Sequence, residues 1–428
     1  MLTRLLPPGL GIAASMAAIA RLDARSDTGW FLVLAAVACA LYLFAVWTIA
    51  RQPPSSRRGL WLCLALAVLC RAPLLPVEPT LSDDIYRYVW DGRIQRFGLN
   101  PYVVVPADNA VAALHTDVTR KMNHPALPTL YPPVAEWTFR AIAAVSESVF
   151  AFKLAFVVLD VLVMLLLLRW LALAGHSPWR VLIYAWNPLV LLEVAGSGHL
   201  DAIGVALIVV AFLAFSRGAG AVAALALAGA VGVKFVPVVL LPLFWRRIRP
   251  WHAALAVAFG LAVALPFSDG TLGLPMGALP TYLAKWRFNG YLFGIIESLG
   301  RTKWLTMLPA VAGIAAACWF RWRSDPASPS SWAWPMGVAL LFMPTVYPWY
   351  LLWLVPFLGG IGTLPLLMWT QTSLVTYFVW RMSALGLGWR LPPWAVIVEF
   401  VPVAAACVYL AVRRRRDHSA GAAEQRSQ

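Results

Sequence analysis

A chain of 428 residues that is 61% hydrophobic, 12% charged and has a mean hydropathy of +0.74 cannot hide its apolar surface in one soluble core. Its repeated apolar runs, many near the roughly 20 residues that cross a bilayer, mark a polytopic membrane protein. The net charge of +15 does not point to nucleic acid, because Arg51, Arg57, Arg58, Arg169, Arg180, Arg217, Arg246, Arg247, Arg249, Arg321, Arg323 and Arg413 to Arg416 sit in short connectors or the tail, the positive-inside pattern of cytoplasmic loops.

In chain order, Arg4 leads into a Gly- and Ala-rich run without a convincing cleavage site, which reads as a first anchor. Helices are expected from Leu6 to Ala20 and from Trp30 to Ala50, ending at the basic connector RQPPSSRRG, which puts the amino terminus in the cytoplasm. A third, from Leu60 to Leu75, rises to the opposite side, where the chain is expected to stay until about Phe150. Eight of the 19 acidic residues fall in this one loop, which makes it the main polar surface. Its start, LSDDIYRYVWDGRIQRFGLNPY, packs Asp83, Asp84 and Asp91 with Arg87, Arg93 and Arg96 into fourteen residues. The spacing of Ile85, Tyr88, Val89, Ile94 and Phe97 predicts an amphipathic helix lying on the bilayer surface, stopped by Gly98 and Asn100-Pro101. The Pro- and aromatic-rich stretch from Asn123 to Trp137 predicts a rigid bend, followed by a second interfacial helix to about Ser148.

From Phe152 the chain re-enters the membrane with Asp160 in an otherwise apolar helix, where an acid is costly and usually faces the bundle interior. Segments from Trp179 to Val194 and from Leu200 to Phe215 are joined by the short turn AGSGHLD, so that Glu193, His199 and Asp201 reach the outer side. Between Ala221 and Trp245, VGVKFVP predicts two short helices meeting at Lys234, with Pro237 breaking the ladder. A helix from His252 to Pro266 leads to a second outer loop, 268–303, containing KWRFNGYLFG. Crossings at Trp304 to Phe320, Trp332 to Val346, Tyr350 to Leu367, Trp369 to Val379 and Pro393 to Val412 follow. The expectation is an all-α protein of about 12 to 14 transmembrane helices, one domain over 1–412 with outer loops at 77–150 and 268–303, and a disordered basic cytoplasmic tail over 413–428. Cys39, Cys63, Cys70, Cys318 and Cys407 lie in apolar segments without metal-type spacing, so free thiols are expected.

The informative polar residues, Asp83, Asp84, Asp91, His124, His199, Asp201, Lys234, Lys285 and Arg287, converge on the non-cytoplasmic face. Carboxylates and cations there, with no nucleotide-binding glycine loop, suit a donor delivered through the lipid phase. Sugar transfer from a polyprenyl phosphate needs a carboxylate to take the acceptor's proton and cations to stabilise the departing phosphate.

The stretches SDDIYRYVWDGRIQRFGLNPY, YPPV, WNPLVLLEVAGSGHLDAIG, GVKFVPVVLLP, KWRFNG and YPWYLLWLVP resemble the GT-C superfamily of integral-membrane glycosyltransferases. The resemblance is nearest to the bacterial polyprenyl-phosphate-mannose-dependent mannosyltransferases and more distant to GPI mannosyltransferase I. It implies an inverting hexosyltransferase of the cell membrane, using mannose, that acts on the extracytoplasmic face on a lipid- or envelope-linked acceptor. The base it implies is Asp84 at the start of the first outer loop, with Asp83 its rival. Arg87, Asp91, His124, Tyr131, His199, Asp201, Lys234, Lys285 and Arg287 are the substrate-binding candidates. No cofactor is implied, the lipid-linked sugar being a substrate; the doubled acid departs from the D-x-D arrangement of GPI mannosyltransferase I, which weakens the case for a divalent metal and leaves it open.

Plainer roles compete. Asp83 and Asp84 could cap a helix after Ser82, and Asp91 could pair with Arg87 or Arg93. His199 could be a turn residue, Asp201 a first-turn acid, Lys285 and Arg287 interface anchors beside Trp286, and YPWYLLWLVP an aromatic belt. The rival functions are a flippase of lipid-linked sugars, which would place polar groups along a mid-membrane path, and an envelope-polymer ligase or polymerase.

Overall fold

The computed structural model describes residues 2–54, 56–268, 274–300 and 303–426; residues 269–273 and 301–302 of the second outer loop and 427–428 of the tail lie outside the described residues. Among the described residues the chain is helical, with isolated bridges only where Phe288 and Asn289 meet Thr345. Among the described residues five helices are long and apolar enough to cross a bilayer: Thr28–Arg51, Val149–Leu173, Pro250–Phe267, Trp304–Arg323 and Pro393–Arg416. The protein is an all-α polytopic membrane protein. Other segments expected to cross are shorter, such as Asp201–Ser216 and Gly220–Val231, or broken, as where Asn187-Pro188 interrupts 179–194 and a π-helical turn, Leu191–Gly196, completes it.

Helices α1 (Leu2–Ile19), α2 (Thr28–Arg51) and α3 (Arg57–Arg71) pack together at the amino terminus. The Ser56 hydroxyl starts α3 by accepting from the Gly59 N–H at 3.0 Å. Two buried cations then fix the entry to the first outer loop. Arg71 pairs with Asp160 on α6 (Val149–Leu173) and donates to the carbonyls of Ala67 and Ala185 at 2.6 and 3.0 Å. Lys153, also on α6, donates to the carbonyls of Leu74 and Val77 at 2.6 and 2.7 Å. Asp160 thus faces the bundle interior with a partner, as a membrane acid must.

The helix after Ser82, α4 (Asp84–Arg96), does not lie on the surface as its hydrophobic spacing suggested. Its apolar face is buried, but so are Arg87, Asp91 and Gln95 on the other face. The outer loop folds back over that polar face: Trp90 stacks on His115 at 4.2 Å, and Arg93 donates to the Leu114 carbonyl at 2.7 Å and pairs with Glu147. On a third side α5 (Pro133–Val145) approaches so closely that a Cβ on Gly92 would stand 2.4 Å from the Phe139 carbonyl oxygen. Hydrophobic periodicity identified the helix but could not register a cover supplied by residues such as Leu114 and Glu147, 21 and 54 positions from Arg93. The break expected at Lys234 is present: Gly220–Val231 ends, and Val236–Leu240 resumes as a 3-10 turn after Phe235.

The second outer loop is tied to the last helix. Buried Glu399 accepts from Trp369 Nε1 at 2.8 Å and Asn289 Nδ2 at 3.1 Å. That helix runs from Pro393 to Arg426 and carries the basic run Arg413 to Arg416.

Candidate active site

The two outer loops, the turn at Lys234 and the YPWY segment enclose a cavity of about 670 Å³. Asp84 enters it from the first residue of α4. Ser82 Oγ accepts from the Asp84 N–H at 3.3 Å, and neither Asp83 nor its neighbour is spent as a side-chain cap. The Asp84 Oδ1 accepts a single hydrogen bond, from Asn123 Nδ2 at 3.2 Å. Burial pushes its carboxyl up to about 6, with the Asn123 bond and the Lys234 ammonium opposing and the charges of Asp83 and Asp201 reinforcing.

Asp83 faces the same cavity in a different state. It is paired with Arg25, from the turn between α1 and α2, whose Nε donates to the Thr80 carbonyl at 2.8 Å and whose guanidinium lies 4.3 Å from the Trp380 ring centre. The Asp83 carboxylate is thus engaged by a guanidinium, whereas that of Asp84 accepts from the neutral Asn123 amide. The geometry therefore favours Asp84 over Asp83.

Lys234 supplies positive charge from the helix break. Its Nζ donates to both oxygens of Asp201 at 2.8 Å and lies 4.3 Å from the Tyr350 ring centre. Asp201 is fully buried and also accepts from Trp353 Nε1 at 2.6 Å. Lys285 and Arg287 line the same cavity, Arg287 paired with Glu297 at 2.9 Å. Trp286, Tyr347, Trp349, Tyr350 and Trp389 give it aromatic walls, so YPWY is part of the site as well as of any belt.

His124 lines the cavity with its ring 5.0 Å from Trp286 and its backbone at φ 47°. Its carbonyl, with that of Leu127, accepts from Arg87 Nη2 at 2.9 Å. Burial and the Arg87 charge lower the imidazole below its ordinary value. Tyr131 completes this wall against Tyr88, ring centres 5.1 Å apart.

Three predicted contacts do not reach the cavity. Asp91 is wholly buried, 3.9 Å from Arg87 Nη1 and beside Glu136, whose carboxyl accepts from Thr129 Oγ1 and Gln95 Nε2 at 2.7 and 2.9 Å. Burial and the neighbouring Asp91 push the Glu136 carboxyl well up. Asp91 is thus an internal partner, the plainer of its two roles. His199 sits behind Trp349, its Nδ1 3.9 Å from Asp84 Oδ2, and Asp201 sits behind Lys234. Sequence reasoning brought Glu193 to the outer side without giving it a role, and missed Arg25, Asn123 and Trp353. Nothing local marks Arg25, 58 residues from its partner. Among the described residues no three His, Cys, Asp or Glu side chains converge on a point where a metal ion could sit.

Comparison with known proteins adds an independent line. The description "alpha-(1->6)-mannopyranosyltransferase, N-terminal domain" matches residues 10–248, more than half of the chain. The chain belongs to this family. The matched region contains Asp83, Asp84, Arg87, His124, Tyr131, His199, Asp201 and Lys234. The chain is 26% identical over 328 residues to alpha-(1->6)-mannopyranosyltransferase A of Mycobacterium tuberculosis, covering 68% of this chain and 63% of that protein. It is 22% identical over 343 residues to the protein of the same name from Corynebacterium glutamicum, covering 67% and 68%. It therefore spans under two thirds of the mycobacterial protein's length. No solved structure matches it.

Proposed function

We propose that this protein is an inverting mannosyltransferase of the cell membrane that takes mannose from a polyprenyl-phosphate donor and attaches it to an acceptor hydroxyl on the extracytoplasmic face. The observation that carries the reading is that Asp84, a carboxylate held by the Asn123 amide, shares one aromatic-walled cavity with the cations Lys234, Lys285 and Arg287. Membership of the alpha-(1->6)-mannopyranosyltransferase family supports mannose as the sugar. The basic connectors support cytoplasmic termini and an outward-facing cavity.

In this reading Asp84 takes the proton of the acceptor hydroxyl while that oxygen bonds to the anomeric carbon. The bond from that carbon to the phosphate oxygen breaks, and its electron pair leaves on the phosphate. Growing charge on the phosphate is stabilised most by cations already fixed in place. Lys234, anchored on Asp201, is such a fixed charge; exposed Lys285 can swing to follow the phosphate out. The Trp and Tyr walls offer flat apolar surfaces to pyranose rings. The acceptor is a sugar hydroxyl on a lipid or envelope glycan, and the linkage formed is α-(1→6), as the relatives' names describe for them.

The test uses the purified full chain in lipid nanodiscs with radiolabelled mannose on either a polyprenyl phosphate or a nucleotide, offered with mannoside acceptors. Label transferred from the lipid donor alone is expected. Transfer from the nucleotide donor alone would reject the reading.

A further inference from the structure

A row of buried polar side chains lies behind Asp84 that the transfer step above does not use. His199 is 1% exposed and stacks on Trp349 with ring centres 4.1 Å apart and planes within 14°. Its Nδ1 lies 3.9 Å from Asp84 Oδ2 and its Nε2 3.4 Å from Glu193 Oε2. Neither nitrogen, nor Glu193 Oε2, makes a hydrogen bond. The other Glu193 oxygen accepts from Tyr377 OH at 2.6 Å. Buried polar atoms without partners are costly, and here three of them form a chain of close approaches that ends at the candidate base.

The backbone is shaped to hold that arrangement. Glu193 lies within the π-helical turn Leu191–Gly196 and His199 just after it, the His199 N–H donating to the Glu193 carbonyl at 2.9 Å; π turns concentrate at functional sites. Gly198, at φ 70°, lets the turn press on α4: a Cβ there would stand 2.5 Å from Ile85 Cδ1, next to Asp84. The ring is thus held against the first turn of the helix that carries the base.

We propose that His199, held by Glu193, is a positioning residue for Asp84: the 3.9 Å between its Nδ1 and Asp84 Oδ2 closes to a hydrogen bond when the carboxylate is charged, Nδ1 donating and keeping it aimed into the cavity. The inference rests on the reading of Asp84 as base. A neutral imidazole has one N–H; if Nδ1 carries it, Nε2 must accept, and the carboxyl O–H of Glu193 is the donor within reach. Glu193 selects the tautomer, Trp349 fixes the ring plane, and Asp84 receives a neutral donor. The charged groups that also face Asp84 are Asp83 on its own segment, Asp201 on the following helix and Lys234 at the helix break.

The test uses the full chain and does not require transfer to be observed. Infrared titration follows the protonated carboxyl of Asp84, identified by the band lost in Asp84→Asn. His199→Phe keeps the stack on Trp349 without the nitrogens, and the Asp84 midpoint is expected to rise by about one pH unit, because a donor to the charged form is gone. His199→Asn, whose amide nitrogen occupies the Nδ1 position, is expected to restore most of the shift. Glu193→Gln, still a donor to Nε2, leaves the midpoint in place, whereas Glu193→Leu raises it as His199→Phe does; this pair carries the test if Phe is not tolerated. In transfer assays His199→Phe lowers kcat about tenfold with KM for the donor unchanged. An unchanged midpoint in both His199→Phe and Glu193→Leu would overturn the proposal. Full activity of Asp84→Asn would instead remove the base assignment, with the midpoints still deciding whether His199 donates to Asp84.

Discussion

Changing Asp84 to Asn removes a base while disturbing few contacts. Asn123 Nδ2 donates to Oδ1 at 3.2 Å, a bond the amide oxygen keeps, and the other end faces His199 at 3.9 Å, with room for an NH₂ group. A half-buried carboxyl already lifted to about 6 gives up little when neutralised, so the variant should melt in detergent at or slightly above the wild-type temperature. Transfer should fall about 10²- to 10⁴-fold, the usual contribution of a general base, equivalent to about 2.7–5.4 kcal/mol of barrier. Asp83→Asn is the control. It breaks a pair with Arg25 whose side chains are 35% and 24% exposed, worth about 0–1 kcal/mol, and should cost less than about fivefold in rate. Single-turnover transfer of labelled mannose measures both. Activity within tenfold of wild type for Asp84→Asn, or the larger loss for Asp83→Asn, would refute the assignment.

The pH dependence follows from the same carboxyl. Its folded value, about 6, lies above the ordinary 3.8, and the base works only when deprotonated, so kcat/KM should level off above about pH 7 and fall tenfold per unit below about pH 6; a limb near pH 4 would contradict it. Lys234→Met leaves buried Asp201 with only the Trp353 N–H and should destabilise by about 3–5 kcal/mol. Adding Asp201→Asn should recover most of the fold but not transfer, as melting and assay together would reveal. Gly204→Ala would set a Cβ 2.0 Å from the Trp353 ring and should cost about 1–3 kcal/mol by overpacking, read as a lower melting temperature. Arg71→Met alone should cost about 3–5 kcal/mol by leaving Asp160 unpaired, while Arg71→Met with Asp160→Leu should be near neutral; equal losses would show that the ion pair itself stabilises the bundle.

Much of the site was legible because charge is rare in this chain. Asp83, Asp84 and Lys234 stand out against an apolar background, and the helix break at Lys234 followed from Pro237 and the glycine before it. What could not be read were the pairings. Whether Asp83 or Asp84 is freer depends on Arg25, more than fifty residues upstream. Whether Asp201 touches substrate or anchors Lys234 depends on how two helices meet. The burial of α4 escaped periodicity because a helix with one apolar stripe looks the same whether its polar face meets water or, like Asp91 and Gln95, a folded loop. Glu399 lay unnoticed in the last helix because its partners, Asn289 and Trp369, come from two other segments.

The most direct test is a structure of the protein with a non-transferable polyprenyl-phosphate mannose analogue bound. The phosphate is expected against Lys234 and Lys285, with the anomeric carbon turned toward a space bordered by Asp84. A phosphate bound elsewhere, such as the small cavity beside Arg180 and His176, with Asp84 facing no part of the sugar, would contradict the assignment of this cavity as the active site.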